Sequence, residues 1–504
     1  MLAKLFTATL LGLDCKVVEV EVDYKKGPAY FSIVGLADKS IQEAKDRIPS
    51  AIKNSGAEFL PVSIVINLAP AELTKSGPAY DLPLAIGYLV ASEQLTLSPI
   101  KTLFIGELAL DGRLRPVHGI LPITDAAKKL GFEEIFLPFD NANEAALVNG
   151  IKVFGVETLS DLINHFKGAR LMQPFVNDGE SKKILNQYKF DMSQIKGQEH
   201  AKRAMEICAA GAHNILLSGV PGSGKTMISR ALPSILPDMT LEESLEVTRI
   251  YSISGLTSKS SPLISTRPFR SPHHTSSQVA LVGGGAFPKP GEISLSHRGV
   301  LFLDEFPEFS TFALEALRQP LEDKVVTISR AQGTLTFPAN FILVAAMNPC
   351  KCGYKGDPVK QCTCSSHEII RYQKKISGPI LDRIDLLINV PKVENDKLFT
   401  NSDAESSKSI KHRVQRARDL QIQRYKSLGI ISNAELNQKD IEKFVILNET
   451  SRKILNMALE RMNLSARSYY RILRVSRTIA DLECSESVEE KHVAEALSYR
   501  VDIG

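Results

Sequence analysis

"HNILLSGVPGSGKTMISRAL", residues 213 to 232, decides the fold of this 504-residue chain. An apolar run from Asn214 to Ser218 breaks into glycines and resumes as a helical pattern, the strand-loop-helix context that G-x-x-x-x-G-K-[ST] requires. The motif occupies Gly219, Val220, Pro221, Gly222, Ser223, Gly224, Lys225 and Thr226. Its glycines let backbone N–H groups turn inward around phosphate oxygens, and the helix that follows points its positive end at them. Lys225 reaches the terminal phosphates and Thr226 ligates Mg2+, so ATP with Mg2+ is the expected pair.

Downstream, "GVLFLDEF" (299 to 306) reads as a buried strand ending in Asp304 and Glu305. A carboxylate at the carboxyl end of a strand faces the crevice in which open α/β sheets bind ligands. In this Walker B pattern Asp304 holds Mg2+ and Glu305 polarises the attacking water as general base. "NFILVAAMNP" (340 to 349) supplies another buried strand ending at Asn348, placed to orient the water or to sense the γ-phosphate; a helix or turn cap is the alternative. "SGPILDRIDLLINV" sets Arg383 between two acids, and "SARSYYRILRVSRTIADL" opens a C-terminal helix carrying Arg467.

With these motifs the chain resembles the AAA+ ATPases, and within them the Mg-chelatase-like branch that includes the replicative MCM helicases. The resemblance implies Asn348 as sensor 1, Arg383 as an arginine finger donated to a neighbouring subunit and Arg467 as sensor 2. A finger acting in trans implies an oligomer, a homo-hexamer by that likeness. Arg471, Arg474 and Arg477 continue one face of the Arg467 helix and read as a solvated stripe.

Composition sets the frame. The length favours two to four domains, and 43% hydrophobic with 23% charged residues is a globular composition. A net charge of +4 announces no nucleic-acid binder, so any basic surface is local. No apolar run reaches the roughly 18 residues of a membrane span, so no membrane partner is expected. The opening "MLAKLFTATLLGLDC" imitates a signal peptide, but Asp14 and Cys15 follow without a small-x-small cleavage site, and the alternating "CKVVEVEVDY" makes it the first hairpin of a folded domain. Seven cysteines, an odd number, fit a reducing cytoplasm better than a disulfide framework.

The first 168 residues are strand-rich α+β text with Gly-Pro turns. "SIVINLAPAELTKSGPAYDLPLAIGYLVAS" and "FIGELALDGRLRPVHGILPITDAAKKLGF" resemble the proteolytic domain of Lon, whose chemistry is a Ser-Lys dyad. Here the "GPSAG" turn reads Gly77-Pro78-Ala79-Tyr80-Asp81 and the lysine position is Leu121. A methyl cannot attack a carbonyl and leucine cannot take a proton, so this domain is a scaffold, ring-former or binding surface.

The expected fold is α/β: an AAA+ P-loop core with a helical lid, preceded by an α+β Lon-protease-like (ribosomal protein S5 domain 2-like) domain. The boundaries read are 1–168 for the Lon-like domain, 169–190 for a linker, 191–395 for the core and 396–504 for the lid. "VGLADKSIQEAKDRIPSAIKNSG", "IKGQEHAKRAMEICAAGAHNILLSGVPGSGKT" and "RPFRSPHHTSSQVALVGGGAFPKPGEISLSHRGVLFLDEFPEF" extend the likeness to nearly the whole chain, which resembles the ComM (YifB) family. That resemblance implies a hexameric ATP-driven DNA helicase promoting branch migration in natural transformation. A Mg-chelatase-like subunit inserting metal into a porphyrin and an ATP-dependent protein remodeller are the rival classes.

Residues 255 to 298 hold five Lys or Arg, three His and a single acid, Glu292. Arg267, Arg270 and Lys289 in this insert are candidates to track DNA phosphates without reading sequence, on single-stranded or branched DNA; an ordinary exposed loop is the alternative. Arg330, in the hairpin text around Gly333, is a further candidate. His273-His274 as a metal pair lacks a nearby third ligand. Finally, "NPCKCGYKGDPVKQCTC" (348 to 364) gathers Cys350, Cys352, Cys362 and Cys364 into a C-x-C, C-x-C knuckle. Two such pairs can close an S4 site for structural Zn2+; an oxidisable thiol pair or no metal are the other readings.

Overall fold

Alternating apolar and polar residues form the strands Leu2–Leu11 and Asp14–Lys25, paired antiparallel from Leu2 opposite Asp23 to Leu11 opposite Asp14. The stretch that imitates a signal peptide is thus one arm of a hairpin. The chain is described from a computed structural model, which covers residues 2–25, 27–97, 100–176, 188–285, 288–330, 333–393, 404–461 and 465–500. It forms two units, Met1–Ile184 with Ser244–Ile264, and Leu185–Glu243 with Ser265–Gly504.

In the first unit the hairpin sits inside a seven-stranded mixed sheet, in the order Tyr30–Val34, Ser63–Ala69, Asp14–Lys25, Leu2–Leu11, Thr102–Phe104, Glu134–Pro138, Lys152–Val156. Val18, Val20 and Val22 bury the inward face of their strand against the helix Asp81–Ala91 and its neighbour Ala44–Asn54. Ala79 lies in a 3-10 turn, Pro78–Tyr80, and Leu121 is buried in the helix Ile120–Lys129. The aspartate after the turn, Asp81, is buried and paired with Arg47, Nε to Oδ2 at 2.8 Å.

Residues 244–264 pack within this first unit, so the basic insert, read as 255–298 within the core, is divided. The reason is polar: Gly119 N donates to Ser252 O at 3.1 Å, Ser252 Oγ donates to Glu144, and Arg249 and Lys259 pair with Asp125 and Asp140 at 3.0 and 2.5 Å.

The second unit is built on a five-stranded sheet, in the order Phe269–Arg270, Val300–Leu303, Ile342–Met347, Ile215–Ser218, Leu386–Asn389, every neighbouring pair parallel. "ILLS", "VLFL" and "ILVAAM" are buried at every position, the signature of parallel strands covered on both faces. Helices Glu199–Gly211, Ser407–Arg424 and Ala466–Leu482 share one core with these strands, through Met205, Leu217, Val414 and Ile479. This is the α/β core with a helical lid that the sequence leads one to expect, and the first unit is the expected α+β fold. Of the linker read at 169–190, residues 177–187 lie outside the described residues, as do 394–403 around the boundary read between core and lid. Among the described residues no helix is long and apolar enough to cross a membrane.

Candidate nucleotide site

Three adjacent parallel strands deliver the site at their carboxyl ends. Ile215–Ser218 runs into the glycine loop, and Gly219 N donates to Met347 O at 3.2 Å, tying that loop to the strand that ends before Asn348. A Cβ at Gly219 would lie 2.3 Å from Val390 O, so only glycine fits there. Gly222 (φ +78°) and Gly224 (φ +93°) take left-handed backbone, which turns the loop before the helix Lys225–Ala231 begins.

Lys225 lies over the loop, its Nζ donating to Gly219 O at 2.7 Å, Val220 O at 2.9 Å and Asn348 Oδ1 at 3.3 Å. Burial pushes its amine down to about 8, a shift that Asp304 opposes. Thr226 Oγ1 donates to Asp304 Oδ2 at 2.8 Å, and Glu305 N donates to Asp304 Oδ1 at 3.0 Å. Lys225, Thr226, Asp304 and Asn348 therefore form one polar cluster from three strand ends. Beside it opens a cavity of about 570 Å3, lined among others by Gly219, Val220, Pro349, Lys355 and Asn389. Glu305 takes left-handed backbone (φ 52°), is 55% exposed, and its Oε2 lies 2.9 Å from His274 Nδ1.

Arg383 and Arg467 are not in this cluster. Arg383 precedes the strand Leu386–Asn389, and its carbonyl accepts from Asn214 Nδ2 at 3.0 Å, beside the amino end of Ile215–Ser218. Four strand residues, roughly 13 Å, separate that end from the glycine loop. There Arg383, Arg467, Arg471, Arg474 and Lys324 line a second cavity of about 430 Å3. Arg383 donates to Glu322 and to Pro379 O, while its buried Nε has no partner among the described residues. Burial, with Arg467 and Arg318 nearby, lowers its guanidinium from the ordinary arginine value. Arg467 is exposed at the start of the helix Ala466–Leu482.

The rest of the arginine face is not the solvated stripe expected. Arg471 donates to Ile384 O at 3.2 Å, and Arg477, 1% exposed, bonds Asp481 at 3.1 Å and the Glu486 carbonyl at 2.7 Å. The acceptor of Arg471 comes from another element and the Glu486 carbonyl lies beyond the helix end, while Asp481 sits four positions after Arg477 on the same helix.

The two arginines expected to track phosphates are both held by acids. Arg267 is 9% exposed and pairs with Glu243 (5% exposed) at 2.9 and 3.0 Å, its other donors going to the carbonyls of Pro237, Asp238 and Arg298. Arg270 holds Glu292 through two contacts of 2.6 Å. Both guanidiniums are engaged inside the unit. Lys289 is exposed, and the side chain of Arg330 lies outside the described residues.

The four knuckle cysteines come together, ligand atoms all within 4.8 Å, with Cys350 Sγ 3.4 Å from Cys352 Sγ and 3.6 Å from Cys362 Sγ. A tetrahedral S4 zinc site with Zn–S near 2.3 Å requires sulfurs about 3.8 Å apart, so these thiols fit. All seven cysteines are free, and among the described residues this is the group that could hold a metal; His273 and His274 form none. The knuckle is packed on the glycine loop: a Cβ at Gly353 would lie 2.7 Å from Pro221 Cγ.

A glycine loop with its lysine, a strand-end Asp-Glu pair and a strand-end asparagine on a parallel sheet define a Mg-chelatase-like AAA+ ATPase. Family profiles agree: "Magnesium chelatase, subunit ChlI" matches residues 191–398, "Subunit ChlI of Mg-chelatase" residues 20–141, and "Magnesium chelatase, subunit ChlI C-terminal" residues 404–500. The chain is 43% identical over 505 residues to competence protein ComM of Haemophilus influenzae, covering 99% of this chain and 97% of that protein. It is 42% identical over 498 residues to the uncharacterised protein YifB of Escherichia coli, covering 98% and 96%. The chain belongs to the ComM/YifB family.

Sequence reading missed the engagement of His274 with Glu305. Its signal was present, a histidine four positions after a strand that neighbours the Asp-Glu strand, but it was weighed only as a metal ligand.

Proposed function

We propose that this chain is an ATP-hydrolysing motor acting on DNA as a ring of identical copies, hexameric by its family likeness, with each nucleotide shared between two of them. The observation that carries this reading is the separation of Lys225, Thr226, Asp304 and Asn348 from Arg383 and Arg467, at opposite ends of the same strands. A cation that cannot reach its own nucleotide is placed to serve a neighbour's. Thr226 and Asp304 would hold Mg2+, which neutralises phosphate charge. The loop N–H groups and Lys225 bind the phosphates, and Glu305 takes a proton from the water whose oxygen attacks the γ-phosphorus. The bond to the β-phosphate oxygen breaks, giving ADP and phosphate, with Asn348 orienting the water and the neighbour's arginines stabilising the charge that develops.

For the knuckle we assign structural Zn2+, held by Cys350, Cys352, Cys362 and Cys364, with no open position for catalysis. It stiffens the turn that leans on Pro221 and follows Asn348 directly.

DNA is the substrate this reading favours: the relative in Haemophilus is named a competence protein, and Lys289 remains an exposed cation in the insert. A role in branch migration or recombination, in the cytoplasm, follows from the same likeness. The ChlI profiles favour metal insertion into a porphyrin as the second reading. ATP hydrolysis measured with and without single-stranded, duplex and branched DNA separates them: stimulation by DNA supports the motor. A rate indifferent to every DNA would move the assignment to the chelatase-like subunit.

A further inference from the structure

Asn214 is buried, and its backbone and side chain are both fully engaged. Its N–H donates to Asp385 Oδ2 at 3.1 Å, and its carbonyl accepts from Asp385 N and Leu386 N at 2.9 and 3.0 Å. The side-chain amide works in both directions: Oδ1 accepts from Leu343 N at 2.9 Å, and Nδ2 donates to Arg383 O at 3.0 Å. An N–H on one side and a carbonyl on the other fix which way that amide points.

The sheet explains the shape of this clamp. Ile215–Ser218 lies between Ile342–Met347 and Leu386–Asn389, with Ile215 opposite both Val344 and Leu386. Asn214 stands one residue before that register, and its amide carries the bridging on to both flanks. One flank is the strand that ends before Asn348, and the other is the root of Arg383. An aspartate would have no donor for the Arg383 carbonyl, and an aliphatic side chain would have neither group.

The clamp holds the backbone at Arg383 and leaves the guanidinium to its own contacts, with Glu322 and Pro379 O. Arg471 Nη1 adds a bond to Ile384 O at 3.2 Å, so the chain just after Arg383 is gripped from the helix Ala466–Leu482 as well. A cation that must meet a phosphate on another copy gains from a fixed root, because a displacement of about 1 Å in a site can cost about 100-fold in rate.

We propose that Asn214 is the positioning residue for Arg383: its amide sets the root of the arginine that completes a neighbouring copy's site. The proposal rests on the reading of Arg383 as a finger acting in trans.

The test follows ATP hydrolysis by mixtures of full-length chains, with co-assembly checked by light scattering and ATP affinity measured by equilibrium binding. Asn214→Ala alone should bind ATP with the parent affinity and lose about 10-fold or more in kcat, with KM unchanged. Mixed with Lys225→Ala, whose finger is intact, it should recover part of the parent rate. Mixed with Arg383→Ala it should recover none, because neither chain then supplies a well-set finger. Asn214→Ser, a milder change whose short hydroxyl cannot span both flanks, should fall in the same class with a smaller loss. An unchanged kcat in Asn214→Ala would overturn the proposal. Weakened ATP binding in both variants, or rescue by Arg383→Ala in place of Lys225→Ala, would overturn it too, by placing the effect in the chain's own phosphate loop. Failure of the control pair, Lys225→Ala with Arg383→Ala, would instead remove the in-trans reading and the proposal with it.

Discussion

Thr226 and Asp304, 78 positions apart in sequence, are joined by a hydrogen bond of 2.8 Å across two strand ends. One side chain opens the helix after the glycine loop and the other follows a buried strand, so the sheet itself brings together the pair that would share Mg2+. Glu305 follows Asp304 directly, and its backbone N–H caps that same carboxylate at 3.0 Å. Glu305→Gln keeps shape and hydrogen bonds but cannot take a proton. Nucleotide binding by the variant should survive while turnover falls about 100-fold or more, measured by phosphate release beside equilibrium binding of ATP.

The sulfur geometry predicts about one zinc per chain, lost in Cys362→Ser with Cys364→Ser. Because Gly353 lies on Pro221, that double variant should also bind ATP more weakly. Elemental analysis and nucleotide titration read the two effects separately. Metal-free native protein with full activity would dismiss the zinc site.

Arg267→Ala breaks a buried ion pair and leaves Glu243 uncompensated, which should cost about 3–5 kcal/mol of stability by denaturant unfolding. Lys289→Ala should leave stability unchanged while weakening DNA binding at all sequences, with a salt slope shallower by roughly 0.7 on single strands. Reversed outcomes would return Arg267 to the DNA path.

The first unit should cleave no casein, and Ala79→Ser alone should not create a protease. The hydroxyl would return, but Leu121, buried in its helix, supplies no base. Cleavage that depends on the introduced serine would refute the argument from Leu121.

The contrast between Lys225 and Arg267 shows how far the sequence could be read. Lys225, Thr226, Asp304 and Asn348 each follow a short apolar strand, and their roles are written in local grammar: glycine spacing, an acid pair, a polar residue after a buried run. Arg267 and Arg270 were counted as free charge because their partners, Glu243 and Glu292, lie 24 and 22 residues away, and composition does not pair charges. The same blindness kept 255–264 with the core, when Glu144, Asp125 and Asp140 bind residues 244–264 in the other unit. Long-range polar pairing, not secondary structure, is what could not be read.

On the proposed reading each hydrolytic site is completed by a neighbouring copy, since Arg383 stands at the amino end of the strands whose carboxyl ends carry Lys225. The direct measurement mixes Lys225→Ala chains with Arg383→Ala chains over a range of ratios and follows ATP hydrolysis, with co-assembly checked by light scattering. Each variant alone should be inactive, and the mixture should recover part of the parent rate, because one chain supplies an intact phosphate loop and the other an intact finger. Co-assembled mixtures that stay inactive at every ratio would contradict it.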